Sequence, residues 1–190
     1  MNELVNRIAS GAMAGGLALG LLVAPATHAQ APLEKATVAG WTIEATTDPV
    51  RGFTDCRAAK ANPDGDRLVF LSRPDGSSGV ALVSAKLKLP DDRLVPVTAW
   101  ADDQFDWSNG LGWDAEPPDT LRIDYERWHG PWSVMRTGTK LFVGPTPKGR
   151  NKRALGLKIE FALAGAGAAL DALEPCVKRH AGKAKPGKPG

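Results

Sequence analysis

The chain has 190 residues, 43% of them hydrophobic and 24% charged, which fits one folded domain with appendages at its ends. Its formal charge of +3 is unevenly spread. Five basic residues follow Val177 with no acid among them, so residues 30–177 carry 18 Lys+Arg against 20 Asp+Glu. The basic character belongs to the tail, and the slightly acidic body excludes a nucleic-acid-binding face.

Residues 1–29 read as a signal peptide. Arg7 precedes an uncharged run, Gly11 to Ala24, that is too short to span a bilayer and is followed by small residues. Cleavage is expected after Ala29, with a cut after Ala26 as the alternative, and the mature chain is expected to be periplasmic with no transmembrane helix. Export to an oxidising compartment makes the two cysteines, Cys56 and Cys176, an expected disulfide.

A short lead, Gln30 to Ala36, precedes a first strand in which Trp41, Ile43 and Ala45 alternate with Thr42, Glu44 and Thr46. Asp48-Pro49 and Arg51-Gly52 mark a turn, and Phe53 to Lys60 reads as the returning strand. Asn62-Pro63-Asp64-Gly65 is a turn signal before the strand Arg67 to Ser72. Pro74-Asp75-Gly76 turns the chain into Val80 to Leu89. Leu94 to Trp100 follows, with Pro96 suggesting an edge or a bulge. Residues 101–118 are rich in acids, aromatics and glycine, and read as a long loop with one short strand near Phe105. Strands are expected again at Thr120 to Glu126, Trp132 to Arg136, Lys140 to Val143 and Ala154 to Ala162. Past Gly165 and Gly167 the period changes. Ala166, Ala169, Leu170, Leu173, Cys176 and Val177 form one helical stripe. Residues 178–190 have too few apolar side chains to order themselves and are expected to be a disordered basic tail.

Eight or nine short strands and one late helix predict a mainly β domain over 30–177. Its expected form is an antiparallel β-sandwich or partly open barrel with one short C-terminal helix.

Candidate chemistry is sparse. His129 is the lone histidine of the body, in a turn, with no G-x-S-x-G nucleophile motif anywhere, so no catalytic residue is assigned. Asp102, Asp103, Asp106, Asp114 and Glu116 fail the spacing of a calcium loop: counted from Asp102, the sixth position is Trp107, where the turn needs glycine. No metal and no cofactor is expected. Five of the six tryptophans, Trp100, Trp107, Trp113, Trp128 and Trp132, fall within residues 100–132. Such rings can stack on a partner, so Trp107, Trp113, Trp128 and Trp132, with Asp106, form the candidate binding face. Trp107 and Trp113 in particular are expected to face solvent, being flanked by Asp106 and Asp114.

Gly40-Trp41, Cys56-Arg57-Ala58, the Gly-Val-Ala-Leu strand at 79–82 and FALAGAGAALDAL at 161–173 together resemble the invasion-associated locus B family and related periplasmic proteins of alphaproteobacteria. In that family a Phe/Leu-Gly-Ala-rich segment likewise enters a terminal helix. The sequence departs from the pattern in lacking a Gly-Cys segment in its middle and in the Trp-rich stretch 100–132. The resemblance implies a fold and a compartment, and transfers no catalytic residue. The reading is a non-enzymatic periplasmic protein binding an envelope component or partner protein. The alternatives are an envelope enzyme using carboxylates of the 102–116 loop, and a secreted inhibitor or virulence accessory protein.

Overall fold

Period-two alternation governs most of the chain, and it builds one continuous antiparallel sheet. The computed structural model describes residues 32–47, 53–89, 94–102, 105–106, 111–116, 118–125, 132–145 and 158–181. The strands are β1 (Glu34–Val38), β2 (Trp41–Thr47), β3 (Thr54–Ala61), β4 (Arg67–Ser72), β5 (Ser78–Val83), β6 (Leu94–Ala101), β7 (Phe105–Asp106), β8 (Leu111–Glu116), β9 (Thr120–Tyr125), β10 (Lys140–Pro145) and β11 (Ile159–Ala162). Two helices, α1 (Trp132–Thr137) and α2 (Ala166–His180), accompany them.

The strand order is β1-β2-β3-β4-β5-β9-β8-β6-β10-β11, with β7 on β6, so the sheet ends in β1 and β11 and does not close into a barrel. Its inner face is an alternate-residue series: Trp41, Ile43 and Ala45; Cys56 and Ala58; Leu68 and Phe70; Val80 and Leu82; Leu121; Trp113 and Ala115; Val97 and Ala99; Leu141 and Val143; Ile159 and Phe161. The helix α2 lays Ala166, Ala169, Leu170, Leu173 and Cys176 into this core, packing on β2, β3, β4 and α1. The fold is thus mainly β and sandwich-like, with one C-terminal helix, as the alternation predicts. Cys56 and Cys176 form the expected disulfide, both fully buried with Cα atoms 6.0 Å apart, within the range such a bridge requires.

Several elements differ from the sequence expectation. The lead at 34–38 is strand β1, a largely exposed edge that joins β2 through the two-residue turn Ala39-Gly40 (φ 48° and 82°). Both positive φ values suit the turn that matches strand twist. The strand expected over 80–89 stops at Val83. Ser84 then turns the chain, its Oγ donating to Asp66 and its carbonyl accepting from the Leu87 amide. In the region expected over 101–118 to be a long loop with one short strand near Phe105, β7 is that short strand and β8 is a second one that was not expected. Residues 132–136 are helical rather than extended, because Trp132 and Met135, three apart, both reach the core. Gly138 closes that turn, its amide donating to Val134 O. Pro96 sits one residue beyond the β10 ladder, which begins at Val97, so β6 is a local edge there on that side. The helix α2 runs to His180, so the tail begins later than residue 178.

Candidate functional site

Of the candidate Trp-rich face, the two tryptophans that the structure describes, Trp113 and Trp132, turn into the core. Trp113 is fully buried and Trp132 is 4% exposed. The physical reason lies in β8. Residues i and i+1 of a strand face opposite sides, so the exposed Asp114 beside Trp113 marks the outer face and places the indole inside. Trp132, on α1, lies 5.6 Å from the Phe70 ring, which stacks on Trp41 at 4.9 Å, and these three rings form the aromatic centre of the core. Trp107, Trp128 and His129 lie outside the described residues. Asp106 ends β7, paired with Trp100. Trp100 is half-buried and stacks on Phe142 at 5.4 Å on the outer face.

Of the described carboxylates of the 102–116 region, Asp102 is held at the start of β10, and Asp114 and Glu116 share the outer face of β8 beside Arg122. Asp102 accepts the Thr139 and Lys140 amides and the Thr139 hydroxyl, which hold its carboxyl below the usual range. Glu116 accepts from Arg122 at 3.1 Å, and Asp114 stands opposite Arg122 in the register.

Three polar constellations replace those expected. The first runs across the outer face of β3, β4, β5, β9 and β8. Arg73, with its side chain 2% exposed, lies 3.4 Å from Asp55 and 3.0 Å from Asp124, and Arg122 holds Asp124 at 2.6 Å and Glu116 at 3.1 Å. Burial pushes the Asp124 carboxyl up, but the bonds from Arg122 and Arg73 outweigh it and hold it below the usual range. A Cβ on Gly79 would meet Asp124 Oδ1 at 2.5 Å, so that glycine makes room for the carboxylate. Cations and anions alternate and match along this ladder. Removing one member would leave a partly buried charge without its partner.

The second joins the chain's ends. Glu34 of β1 accepts from Arg179 and from His180, whose Nε2 lies 2.8 Å away, and these contacts hold its carboxyl at about 2. Glu34, Cys176 and His180 bring ligand-type atoms within 4.8 Å of one another. The Cys176 sulfur, however, is consumed by the disulfide, so the cluster is a structural latch.

The third is a groove of about 500 Å³ at the seam between β11 and the β3–β4 hairpin. Trp41, Leu68 and Phe161 contribute apolar lining, and Lys60, Asn62 and Lys158 are among its polar walls. Lys60 continues the inward series Cys56, Ala58, where an apolar side chain is normal. Its Nζ sits 5.5 Å from the Trp41 ring centroid and donates to Ala164 O at 2.9 Å. Lys158 Nζ lies 3.8 Å from the Phe142 ring centroid, so the second lysine rests on the Trp100–Phe142 pair. Asn62 is a strut. It exchanges bonds with Asp66 at 2.9 and 3.0 Å and donates across the seam to Glu160 O at 3.1 Å. Asp66 is itself fixed by Ser84 and Lys86. The wall acids are already matched, Asp64 to Lys86 and Glu160 to Lys140, each at 2.7 Å. Lys60 and Lys158 have no carboxylate partner among the described residues. The groove was not anticipated, although an inward-phased lysine after Cys56 and Ala58 was a readable signal.

No helix among the described residues is long and apolar enough to cross a membrane. No protein-family model and no curated protein matches this chain. Among solved structures, invasion associated protein B from Bartonella henselae is similar, with a TM-score of 0.50 and 16% identity over 77% of this chain and 98% of that one. At that identity the likeness is one of fold, and it establishes a structural relation between this chain and invasion associated protein B.

Proposed function

We propose that this chain is an exported, non-enzymatic periplasmic protein of the invasion-associated locus B kind, holding an envelope component or a partner protein at the seam groove. The observation that carries the reading is the pair Lys60 and Lys158. Neither has a carboxylate partner among the described residues, and both line a concave site with aromatic and aliphatic walls, Lys60 phased inward over Trp41 and Lys158 resting on Phe142 of the outer pair Trp100–Phe142. The buried disulfide agrees with an oxidising compartment. Asp102 is engaged by Thr139 and Lys140 and Glu116 by Arg122, which favours binding over carboxylate catalysis.

Two measurements test this. Intact mass of periplasmic material should show a chain beginning at Gln30, and a mass retaining residues 1–29 would count against export with cleavage. Immobilised mature protein should capture an envelope component that the Lys60→Met/Lys158→Met variant captures at least tenfold less well. A Lys35→Met control, altering an exposed lysine paired with Glu44 on β1, should leave capture unchanged. Equal capture by all three proteins would refute the groove as the binding site.

A further inference from the structure

We propose, resting on the seam reading, that the groove takes a short acidic segment of an extended polypeptide. Its carboxylates would meet Lys60 on the inner side of the seam and Lys158 on the outer side, and its backbone would lie along the edge of β11. Two independent features point to this chemistry. The first is charge. Among the described residues around the groove, Lys86 is shared by Asp64 and Asp66 and Lys140 is taken by Glu160, so four lysines meet three carboxylates and Lys60 and Lys158 are the two without a carboxylate partner. Each rests on a weak partner, a carbonyl with an indole face for Lys60 and a phenyl face for Lys158, that a carboxylate would outcompete or join.

The second feature is the strand edge. Among the described residues β11 is terminal in the sheet, with β10 on one side alone. Its register places Ile159 opposite Val143 and Phe161 opposite Leu141, and the Leu163 amide donates toward Thr139. Glu160 turns its carbonyl the other way, to Asn62 across the seam. In an antiparallel ladder this alternation aims the backbone groups of Glu160 and Ala162 into the groove. The Asn62 strut and the Lys60–Ala164 contact bracket Ala162, so a ligand strand would engage only a short stretch between them. A peptide uses such an edge through its main chain and takes its specificity from flanking side chains. Lys60 and Lys158 offer point charges to a carboxylate, and among the described residues no arginine lines the groove.

The probe is fluorescein-labelled acetyl-Glu-Val-Glu-Val-Glu-amide, titrated with the oxidised mature protein and followed by anisotropy. Saturable binding that weakens with added salt is expected. Replacing the probe's Glu residues by Gln should weaken it at least tenfold. Lys60→Met and Lys158→Met, which keep the apolar stems over Trp41 and Phe142, should each weaken it about tenfold while the variants still unfold cooperatively well above the assay temperature. Unlabelled acidic peptide should compete, while inorganic phosphate and oligogalacturonate at equal charge should not. The proposal is overturned if the Gln peptide binds as well, if both Met variants bind like wild type, or if phosphate or oligogalacturonate displaces the probe equally. If no peptide binds while envelope capture still depends on Lys60 and Lys158, the acidic-peptide chemistry fails and the seam reading stands. If capture is also independent of both lysines, both fail.

Discussion

Gly165 shows how one residue joins two elements. It precedes α2 with φ of 82°, and a Cβ there would lie 2.3 Å from Ala39 O in the β1–β2 turn. Only glycine allows both the left-handed conformation and this approach. Trp41 reinforces the junction, its indole N–H donating to Ala164 O at 3.1 Å. Gly165→Ala should therefore destabilise the protein by about 2–4 kcal/mol, combining the left-handed penalty with the steric shift. Urea unfolding should report this as a lower midpoint at unchanged slope. A midpoint equal to wild type would mean that the junction relaxes freely. Gly65, also at positive φ, has open space where its Cβ would be and supplies the comparison: Gly65→Ala should show the conformational part alone.

At the scale of elements, the last turn of α2 and the edge strand β1 stabilise each other through Glu34. Hydrogen bonds from Arg179 and then His180 lower its carboxyl from an ordinary value near 4.5 to about 2. The group binds a proton less readily folded than unfolded, so its contribution is complete above about pH 4.5 and is lost as pH falls toward 2. Glu34→Gln should be less stable than wild type at pH 7, and the gap should close as the pH is taken toward 2. Parallel urea titrations from pH 7 downward check this, and a gap that stays constant would show that the charge of Glu34 contributes nothing. The latch also explains why α2 continues past Val177. Lys178, Arg179 and His180 lie in the last turn, where positive charge favours the helix C-terminus; Lys178 pairs with Glu174 within the helix, and Arg179 and His180 meet Glu34 of β1.

For the whole molecule, the disulfide has the longest reach. Cys56 on β3 and Cys176 on α2 are 120 residues apart in sequence, so the bridge constrains nearly the whole domain in the unfolded state. Cys176→Ser should cost about 2–5 kcal/mol, and reduction of wild type should bring its stability close to that of the variant. Thermal unfolding with and without reductant measures both. A Cys176→Ser protein as stable as oxidised wild type would mean that α2 is held by packing alone. The sheet leaves a seam between its last strand and the β3–β4 hairpin, and side chains cross it where backbone ladders do not, through Asn62 to Glu160 and Lys60 to Ala164. Such a seam is where an otherwise covered core can meet a ligand.

Local chemistry by itself determined the class of fold. Alternation at Trp41, Ile43 and Ala45, turn residues such as Asn62 to Gly65, and the helical stripe from Ala166 to Cys176 each act over a few residues, and each was legible. The cysteine pairing was legible too, because two cysteines admit one connectivity. Tertiary structure decided the rest. The face that Trp113 presents depends on a strand hidden in a loop-like composition, and that strand exists because β6 and β9 flank it. Trp132 is helical because Phe70 and the core offer it a place. The groove joins Lys60 to Lys158, nearly a hundred residues on, across a seam set by where the sheet ends. Burial, register and the meeting of distant strands are properties of the assembled sheet, and no window of sequence contains them.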